Sequence, residues 1–353
     1  MAIFPDSTLD SERTIEFEFV RATENAALNA MHWIGRGDKE AADEAACDAI
    51  YGVFDLVDIC GEVVIGEGIK DNAPGIFLGD KLGTWKEGSP RFDIALDPID
   101  GTTNISKGMA NSISVMAGVL TPPDQKVMKN IPSFYTHKLA FGPTVAKAVR
   151  DQHIGEKLLD WPMMQTLMFV SMALGKRMGE LVVLVLDRPR NQKIIDDIRA
   201  VGASLRMVAD GDITAAVAPS LPDSGIDLYV GSGGTPEGIL TATALRALGG
   251  DILQRMYFRD EAERAELAGE LSAADMKKVW NAEEIVPGDK AIFCATGISD
   301  SFLLPGVKLI GHTAITHSIL MRAHSRTVRY IRAVHDLEHK RIRLRSDPSE
   351  HLI

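Results

Sequence analysis

Apolar residues recur at helical spacing in the first part of the chain, and further on they form short runs between polar turns. Residues 12–34 and 39–57 each carry apolar positions three or four residues apart, which predicts two helices. Short apolar runs predict buried strands at 63–65, 76–79, 93–96 and 112–119. Residues 1–11 are largely polar and are expected to form a loose arm.

From about residue 158 the pattern alternates between helical and strand segments. It predicts helices at 163–176, 191–201, 212–218, 235–247 and 260–283, and strands at 181–186, 205–208, 226–230, 291–295 and 307–310. Such alternation favours layered α/β architecture. The change in pattern suggests a boundary near residue 150, which divides the chain into an arm (1–11), two lobes (12–150 and 151–332) and a tail (333–353).

Composition narrows the class of protein further. Of 353 residues, 45% are apolar and 25% charged, and 38 basic against 49 acidic residues leave a net charge of −11. Acidic balance argues against non-specific nucleic-acid binding, which depends on Lys and Arg. No apolar run of bilayer length and no secretory leader are visible, and the three cysteines lack the spacing of a zinc site or disulfide framework. We therefore expect a cytoplasmic protein with buried thiols, and neither a membrane nor a nucleic-acid partner.

The strongest chemical signal is the run at residues 92–103, where an apolar strand leads directly into two acids. Asp97 ends the predicted strand, Pro98 forces the chain out of the ladder, and Asp100 follows within the same turn. Two carboxylates this close repel each other unless a cation lies between them, and oxygen-only ligands suit Mg²⁺ or Mn²⁺. Gly101 allows close approach to a ligand, and Thr102 adds a hydroxyl.

Two glycine-rich segments repeat this arrangement of a strand followed by a turn and an acid. Glu67 lies between two glycines after the strand at 63–65, although a Glu in such a turn is common on its own. Residues 231–238 place glycines before a helix that begins near Pro236, where backbone N–H groups can bind phosphate. Glu237 is then a candidate metal ligand or a residue that stabilises the helix N-terminus.

Three further polar pairs stand at the predicted ends of elements. They are Lys39 with Asp43, Arg188 with Arg190, and Asp210 with Asp212. Taken singly, they are explained by a surface ion pair, a solvated loop, and a turn with a helix cap. Taken with the acids at strand ends, the two arginines can form a fork on a phosphate. The combination indicates metal-assisted phosphoryl chemistry at the edge of an α/β sheet.

The ordered set of motifs resembles the class II fructose-1,6-bisphosphatases, within the superfamily of lithium-sensitive sugar and inositol phosphatases. The resemblance extends from about residue 16 to residue 332. It rests on the segments WIGRGDK (33–39), VIGEG (64–68), DPIDGT (97–102), FYTHKL (134–139), RPR (188–190), DGD (210–212), GGTPEG (233–238) and ATG (295–297). The DPIDGT segment marks the superfamily, and the whole set marks the class II enzymes.

The resemblance implies an αβαβα sugar-phosphatase fold of two intimate lobes, dependence on Mg²⁺ or Mn²⁺, and a homo-oligomer, either dimer or tetramer. It also implies hydrolysis of the 1-phosphate of fructose 1,6-bisphosphate. The matching metal ligands, placed mainly in the first lobe, are Asp43, Glu67, Asp97, Asp100 and Glu237. Thr102, Glu67 and Asp97 match catalytic positions. Substrate-binding positions are Lys39, Asp71, Asp100, Gly101, Thr102, Tyr135, Arg188, Arg190, Asp210, Asp212 and Gly234.

Three positions depart from the family pattern, and alternatives stay open. Asp100 and Ile69 stand where Glu is common, and Arg188 stands where Lys is usual. These departures bear on metal preference and fine specificity. The nearest alternative is a bisphosphatase that also accepts sedoheptulose 1,7-bisphosphate. An inositol or nucleotide phosphatase and a catalytically silent scaffold are further alternatives.

Overall fold

The computed structural model describes residues 11–66, 75–122 and 125–352. Its helices are α1 (Ser11–Ala30), α2 (Lys39–Phe54), α3 (Thr102–Ser106), α4 (Pro143–Asp151), α5 (Met163–Leu174), α6 (Gln192–Val201), α7 (Asp212–Val217), α8 (Thr235–Leu248), α9 (Glu261–Glu270) and α10 (Ala282–Ile285). Short 3₁₀ turns join several of them.

The strands of the described residues form three sheets. They are β1 (Cys60–Ile65), β2 (Lys81–Leu82), β3 (Arg91–Asp100), β4 (Ile113–Leu120), β5 (Tyr135–Phe141), β6 (Val182–Leu186), β7 (Ser204–Val208), β8 (Leu228–Gly234), β9 (Asp251–Tyr257), β10 (Val279–Trp280), β11 (Ala291–Gly297), β12 (Lys308–Ile310), β13 (Thr313–Arg322), β14 (Thr327–Asp336), β15 (Arg341–Arg343) and β16 (Glu350–Leu352).

The first sheet has the order β2-β1-β3-β4-β11-β13, and β13 also pairs with β12 and β14. Only β1 and β3 run parallel in it. The second sheet has the order β10-β9-β5-β8-β6-β7, with parallel pairs around β6. The last two strands, β15 and β16, form a separate hairpin.

The layers of the fold follow from the way side chains alternate across each strand. On β3, Ile94 and Leu96 join an apolar cluster with α1 and α2, whereas Ala95 joins a second cluster around α7 and α8. That second cluster also includes Tyr229 from the second sheet. A third cluster packs α4, α5 and α6 on the other face of the second sheet, for example through Ile198. The order of layers is therefore αβαβα, as expected.

The predicted boundary near residue 150 stays a prediction, and strand pairing crosses it in both directions. Strand β5 precedes residue 150 and lies in the second sheet between β8 and β9. Strands β11, β13 and β14 follow it and belong to the first sheet. The last strands of the chain therefore complete the sheet that carries the first acidic motif.

Several element bounds differ from the prediction for identifiable reasons. Residues 76–79 are not a strand: Phe77 is a single bridge position and 78–79 are a turn, which the carboxylate of Asp80 closes by accepting a hydrogen bond from the N–H of Phe77 at 2.8 Å. Residues 260–283 are not one helix: α9 ends at Glu270, and Ser272 bonds to Asp275 before the chain enters β10. Strands β5 and β9 were not predicted.

Other expectations are confirmed. The two N-terminal helices and the alternating elements from α5 to α8 lie close to their predicted positions. All three cysteines are buried free thiols, namely Cys47, Cys60 and Cys294. None of the helices in the described part of the chain is long and apolar enough to cross a bilayer.

Candidate active site

One cleft of about 770 Å³ lies where the end of β3 meets α3, the start of α8 and the loops after β6 and β7. Most of the predicted site residues line it: Lys39, Asp97, Asp100, Gly101, Thr102, Tyr135, Arg188, Arg190, Asp210, Asp212, Gly234 and Glu237. Asp43 is buried on α2, one turn after Lys39, and is not among these lining residues. Glu67 and Asp71 lie outside the described residues.

The acidic motif is a bulge at the end of β3 rather than a turn beyond a strand that stops at Leu96. Strand β3 continues to Asp100, and its pairing with β4 shifts between Asp97 and Asp100. Pro98 explains the shift, because proline has no N–H to donate to the ladder. The carboxylate of Asp97 accepts a hydrogen bond from the N–H of Ile99 at 3.1 Å, which fixes it within the bulge.

Gly101 connects this bulge to α3 in a conformation that favours glycine. Its φ is +95°, and a Cβ at this position would lie 2.5 Å from the carbonyl oxygen of Asn111. Any other residue would therefore meet both backbone strain and a clash with backbone. Thr102 is the first residue of α3, half-buried beside the cleft. The glycine thus determines where the Thr102 side chain lies.

A set of hydrogen bonds joins α3 to the loop that contains Asp210. The carboxylate of Asp210 accepts from the N–H of Thr103 at 3.2 Å, and its carbonyl oxygen accepts from the side chain of Asn111 at 2.6 Å. The same carboxylate pairs with Arg188 at 3.3 Å. Asp210 therefore links elements from both sheets, a role for which sequence spacing gave no signal.

Asp212 is buried at the start of α7, where two buried side chains donate to its carboxylate. The ammonium of Lys138 on β5 donates to one oxygen, and the hydroxyl of Tyr229 on β8 donates to the other. A Cβ on Gly233 would overlap this carboxylate. The absence of a side chain at Gly233 therefore makes room for the Asp212 carboxylate. The glycine-rich segment is also partly a strand, since β8 ends at Gly234.

Sequence reasoning did not identify Lys138 or Tyr229 as site residues. Lys138 is fully buried, and buried lysines are rare unless they are paired. The sequence does contain a signal that could have identified Lys138, because this lysine directly precedes the apolar run that completes β5. A charged residue at such a position needs a buried partner of opposite charge.

The basic residues of the cleft are held by neutral groups as well as by one acid. The guanidinium of Arg190 lies 4.2 Å from the centre of the Tyr135 ring. Its Nε donates to the carbonyl oxygen of Ser232 at 2.8 Å. Arg188 contacts Asp210, as described above. Both arginines flank Pro189 in the loop after β6, as the sequence predicted.

The acidic residues interact strongly with one another. Burial raises the pKa of Asp100 well above its usual range, and the negative charges of Asp97, Glu237, Asp210 and Asp212 raise that pKa further. Asp100 also accepts a hydrogen bond from the N–H of Ile213 at 3.2 Å. A bound cation would oppose both effects, since it favours the ionised carboxylate.

The candidate ligands therefore have the chemistry that a hard divalent cation requires. All candidate ligands are carboxylates, and Mg²⁺ and Mn²⁺ prefer oxygen ligands. Within residues 11–66, 75–122 and 125–352, no three acidic, His or Cys side chains are already arranged as a metal-binding group. One predicted ligand, Glu67, belongs to the segment outside those ranges.

Fold and cleft together define a layered α/β protein in which a carboxylate cluster and two arginines face the same cavity. Comparison with known proteins extends this description. The family described as bacterial fructose-1,6-bisphosphatase, glpX-encoded, matches residues 13–335. The class 2 fructose-1,6-bisphosphatase of Haemophilus influenzae is 38% identical over 337 residues, which cover 92% of this chain and 97% of that protein.

A second relative agrees closely with the first. Fructose-1,6-bisphosphatase 1 class 2 of Escherichia coli strain K12 is 38% identical over 339 residues, covering 93% of this chain and 97% of the relative. The chain therefore belongs to the class 2 fructose-1,6-bisphosphatase family, which confirms the resemblance seen in the motifs.

Proposed function

We propose that this chain hydrolyses the 1-phosphate of fructose 1,6-bisphosphate to give fructose 6-phosphate and inorganic phosphate. Family membership supports the reaction. The structural observation that carries the proposal is the presence of a carboxylate cluster and an arginine pair in one cleft. A substrate with two phosphates needs one group of residues for the chemistry and another for anchoring.

The carboxylate cluster is proposed to hold Mg²⁺ or Mn²⁺ through Asp43, Glu67, Asp97, Asp100 and Glu237. The cation would neutralise phosphate charge and lower the pKa of a bound water. The raised pKa of Asp100 supports this assignment, because a cluster that suppresses its own ionisation favours a positive ligand. Asp100 is one methylene shorter than the usual Glu, which makes the choice between the two metals a property to measure.

Thr102 is proposed to bind the attacked phosphate and to orient the water that attacks it. Its position at the start of α3, after the positive-φ glycine, supports this role. The backbone N–H of Thr102 would stabilise negative charge that develops on phosphate oxygens, since the N–H of Thr103 already donates to Asp210. Asp97, and by the family pattern Glu67, would accept the proton of that water. The Asp210 hydrogen bonds hold α3 in place during the reaction.

The 6-phosphate is proposed to bind Tyr135, Arg188 and Arg190. Stacking on the Tyr135 ring leaves the guanidinium edge of Arg190 available for phosphate oxygens. The sugar would contact the remaining predicted binding positions, namely Lys39, Asp71, Asp210, Asp212 and Gly234. The free cysteines fit a reducing compartment, so the proposed place of action is the cytoplasm.

The proposal is tested by phosphate release from a panel of sugar phosphates after metal removal and re-addition of Mg²⁺ or Mn²⁺. We expect turnover of fructose 1,6-bisphosphate only with a divalent cation. Sedoheptulose 1,7-bisphosphate belongs in the panel because the cleft, at about 770 Å³, has room for one more carbon. Preference for inositol monophosphate, or no turnover of any bisphosphate, would overturn the proposal.

A further inference from the structure

Phe134 is an exposed aromatic residue in the lining of the cleft. Its side chain is 44% exposed, although phenylalanine is among the residue types most often buried. It directly precedes β5, and its ring meets the ring of Tyr135 edge to face, with the ring centres 4.7 Å apart and the planes at 82°. Successive side chains of a strand point to opposite faces, so this contact requires a bend in the chain before β5 begins.

Phe134 and Tyr135 form the middle of a stacked row that has an arginine at each end. The guanidinium of Arg259 lies 5.1 Å from the centre of the Phe134 ring, and that of Arg190 lies 4.2 Å from the centre of the Tyr135 ring. Both distances are within the range of cation–π attraction. Arg259 follows β9 and is not among the residues that line the cleft. The row therefore connects the proposed 6-phosphate site to the segment that leads into α9.

The backbone of Phe134 is held independently of its ring. Its N–H donates to one carboxylate oxygen of Glu263 on α9 at 2.7 Å, and the other oxygen accepts from the N–H of Arg259 at 2.6 Å. The carbonyl oxygen of Phe134 accepts from the N–H of Thr235, the first residue of α8, at 3.1 Å. These bonds do not use the Phe134 side chain, so a substitution can remove the ring and leave the backbone in place.

We propose that Phe134 is a positioning residue for the 6-phosphate, an inference that rests on the proposed function. Its ring holds the Tyr135 ring in the orientation on which the guanidinium of Arg190 stacks. The planar fork of Arg190 then faces the phosphate in one orientation, so less rotational freedom is lost when the substrate binds. Arg259 and Glu263 support the same arrangement from outside the cleft. Phe134 therefore determines how strongly the second phosphate is bound and has no part in the chemistry at the first.

Direct packing of the Phe134 ring against the substrate is the competing explanation, since the ring lines the cleft. The two roles differ in how they combine with a change at Arg190. A positioning ring acts only through the stack of Tyr135 and Arg190, so its removal has little effect once that stack is lost. A ring that touches the substrate acts independently, and its effect multiplies with that of Arg190→Lys.

Titration calorimetry with fructose 6-phosphate, in the presence of Mg²⁺ or Mn²⁺, measures binding at this site without turnover. Phe134→Ala should raise the Kd about threefold to tenfold, the range expected for the loss of one aromatic pair. Phe134→Tyr keeps the ring and should bind like wild type. Phe17→Ala is the matched control, because Phe17 lies on α1, is 48% exposed and is not among the residues that line the cleft. It should leave the Kd unchanged.

Steady-state kinetics on fructose 1,6-bisphosphate separates positioning from a general structural role. In Phe134→Ala, KM should rise by the same factor as the Kd, and kcat should stay within about twofold of wild type. When Phe134→Ala is added to Arg190→Lys, KM should rise by less than about a further twofold. A merely structural role would instead lower kcat along with the thermal midpoint.

The inference would be overturned by an unchanged Kd and KM in Phe134→Ala, by full multiplication of the two effects in the double variant, or by equal weakening in Phe17→Ala. Failure of the proposed function is a different result, in which the wild-type chain releases no phosphate from fructose 1,6-bisphosphate. The titration needs no turnover, so it decides the role of Phe134 in that case too. Absence of fructose 6-phosphate binding in wild type would then overturn the inference as well.

Discussion

The cleft has an acidic side, formed by Asp97, Asp100 and Glu237, and a basic side, formed by Arg188 and Arg190, and the two sides are built in opposite ways. On the acidic side, burial and the negative charges of carboxylates from distant segments raise the pKa of Asp100. On the basic side, Arg190 rests on an aromatic ring and a carbonyl oxygen. The acidic side therefore holds an excess of charge that suits a cation. The basic side holds cations whose planar groups are already oriented to anchor an anion.

The largest effect should come from Asp97→Asn, which removes one proposed metal ligand from the acidic side. We expect kcat for fructose 1,6-bisphosphate to fall at least about 10³-fold, because both cation binding and water activation would be weakened. Circular dichroism and the thermal midpoint should stay close to wild type, since the side-chain oxygen of asparagine can also accept the hydrogen bond that Asp97 accepts from the N–H of Ile99.

Asp93→Asn is the control for that change. Asp93 is a buried carboxylate on the same strand, and it accepts hydrogen bonds from the N–H groups of Val127 and Met128, away from the cleft lining. It should lower stability and leave turnover close to wild type. If Asp93→Asn abolished turnover and Asp97→Asn did not, the acidic side would be wrongly assigned.

Removing the buried cation that pairs with Asp212 should have the next largest effect. Lys138→Met leaves the carboxylate of Asp212 buried and without its cationic partner, while the Tyr229 hydroxyl still donates to it. We expect the free energy of unfolding in urea to fall by about 3–5 kcal/mol, as is typical when one partner of a buried ion pair is lost. The double variant Lys138→Met/Asp212→Asn should recover part of this loss. If the free energy of unfolding of Lys138→Met equalled that of wild type, the buried ion pair with Asp212 would not have the structural role described.

The two arginines should differ when each is replaced by lysine. Arg190→Lys loses the planar stack on Tyr135 and the hydrogen bond to Ser232, so KM should rise by about tenfold. Arg188→Lys introduces the residue that the family resemblance leads us to expect and keeps the charge near Asp210, so its KM should change by less than about threefold. Steady-state kinetics on both variants measures the difference. Equal effects would show that stacking has no role in anchoring.

An effect that is seen only at acid pH concerns the strand that carries Tyr135. Burial lowers the pKa of His137 to about 4, from a usual value near 6.5, and the charge of Arg255 contributes. Between these values the unfolded chain binds the proton more readily, so stability falls as the pH falls through this window. His137→Gln should reduce the loss of unfolding free energy between pH 7 and pH 4.5 by about 2 kcal/mol. If unfolding free energy depended on pH in the same way in wild type and in His137→Gln, the low pKa would be wrongly assigned to His137.

The sequence predicted those site residues that follow apolar strands. Asp97, Asp100 and Thr102 were found because a buried strand, a proline and a glycine lie next to one another in the chain. The α/β layering was also predictable, since alternation of elements is a local pattern, whereas the αβαβα order was implied by the family resemblance. The strand bulge was not, because Pro98 can end a ladder or interrupt it, and only pairing with β4 decides which.

Contacts between distant segments were beyond local patterns. Strand β5 was missed because a lysine is not expected in a buried strand. The carboxylate that neutralises the charge of Lys138 belongs to Asp212, which comes 74 positions later in the chain. The glycines of 231–234 predicted a loop, yet their lack of side chains leaves room for the carboxylates of the buried Asp212 and the half-buried Glu237.

The measurement that tests the central claim most directly is the ratio of kcat/KM for fructose 1,6-bisphosphate to that for fructose 1-phosphate. Both substrates present the same reacting phosphate, and only the first can use the arginine side of the cleft. The account predicts that wild type strongly prefers the bisphosphate and that the preference falls about tenfold in Arg190→Lys. A ratio near one in wild type that is unchanged in Arg190→Lys would contradict the claim that the carboxylates perform the chemistry while the arginines anchor the second phosphate.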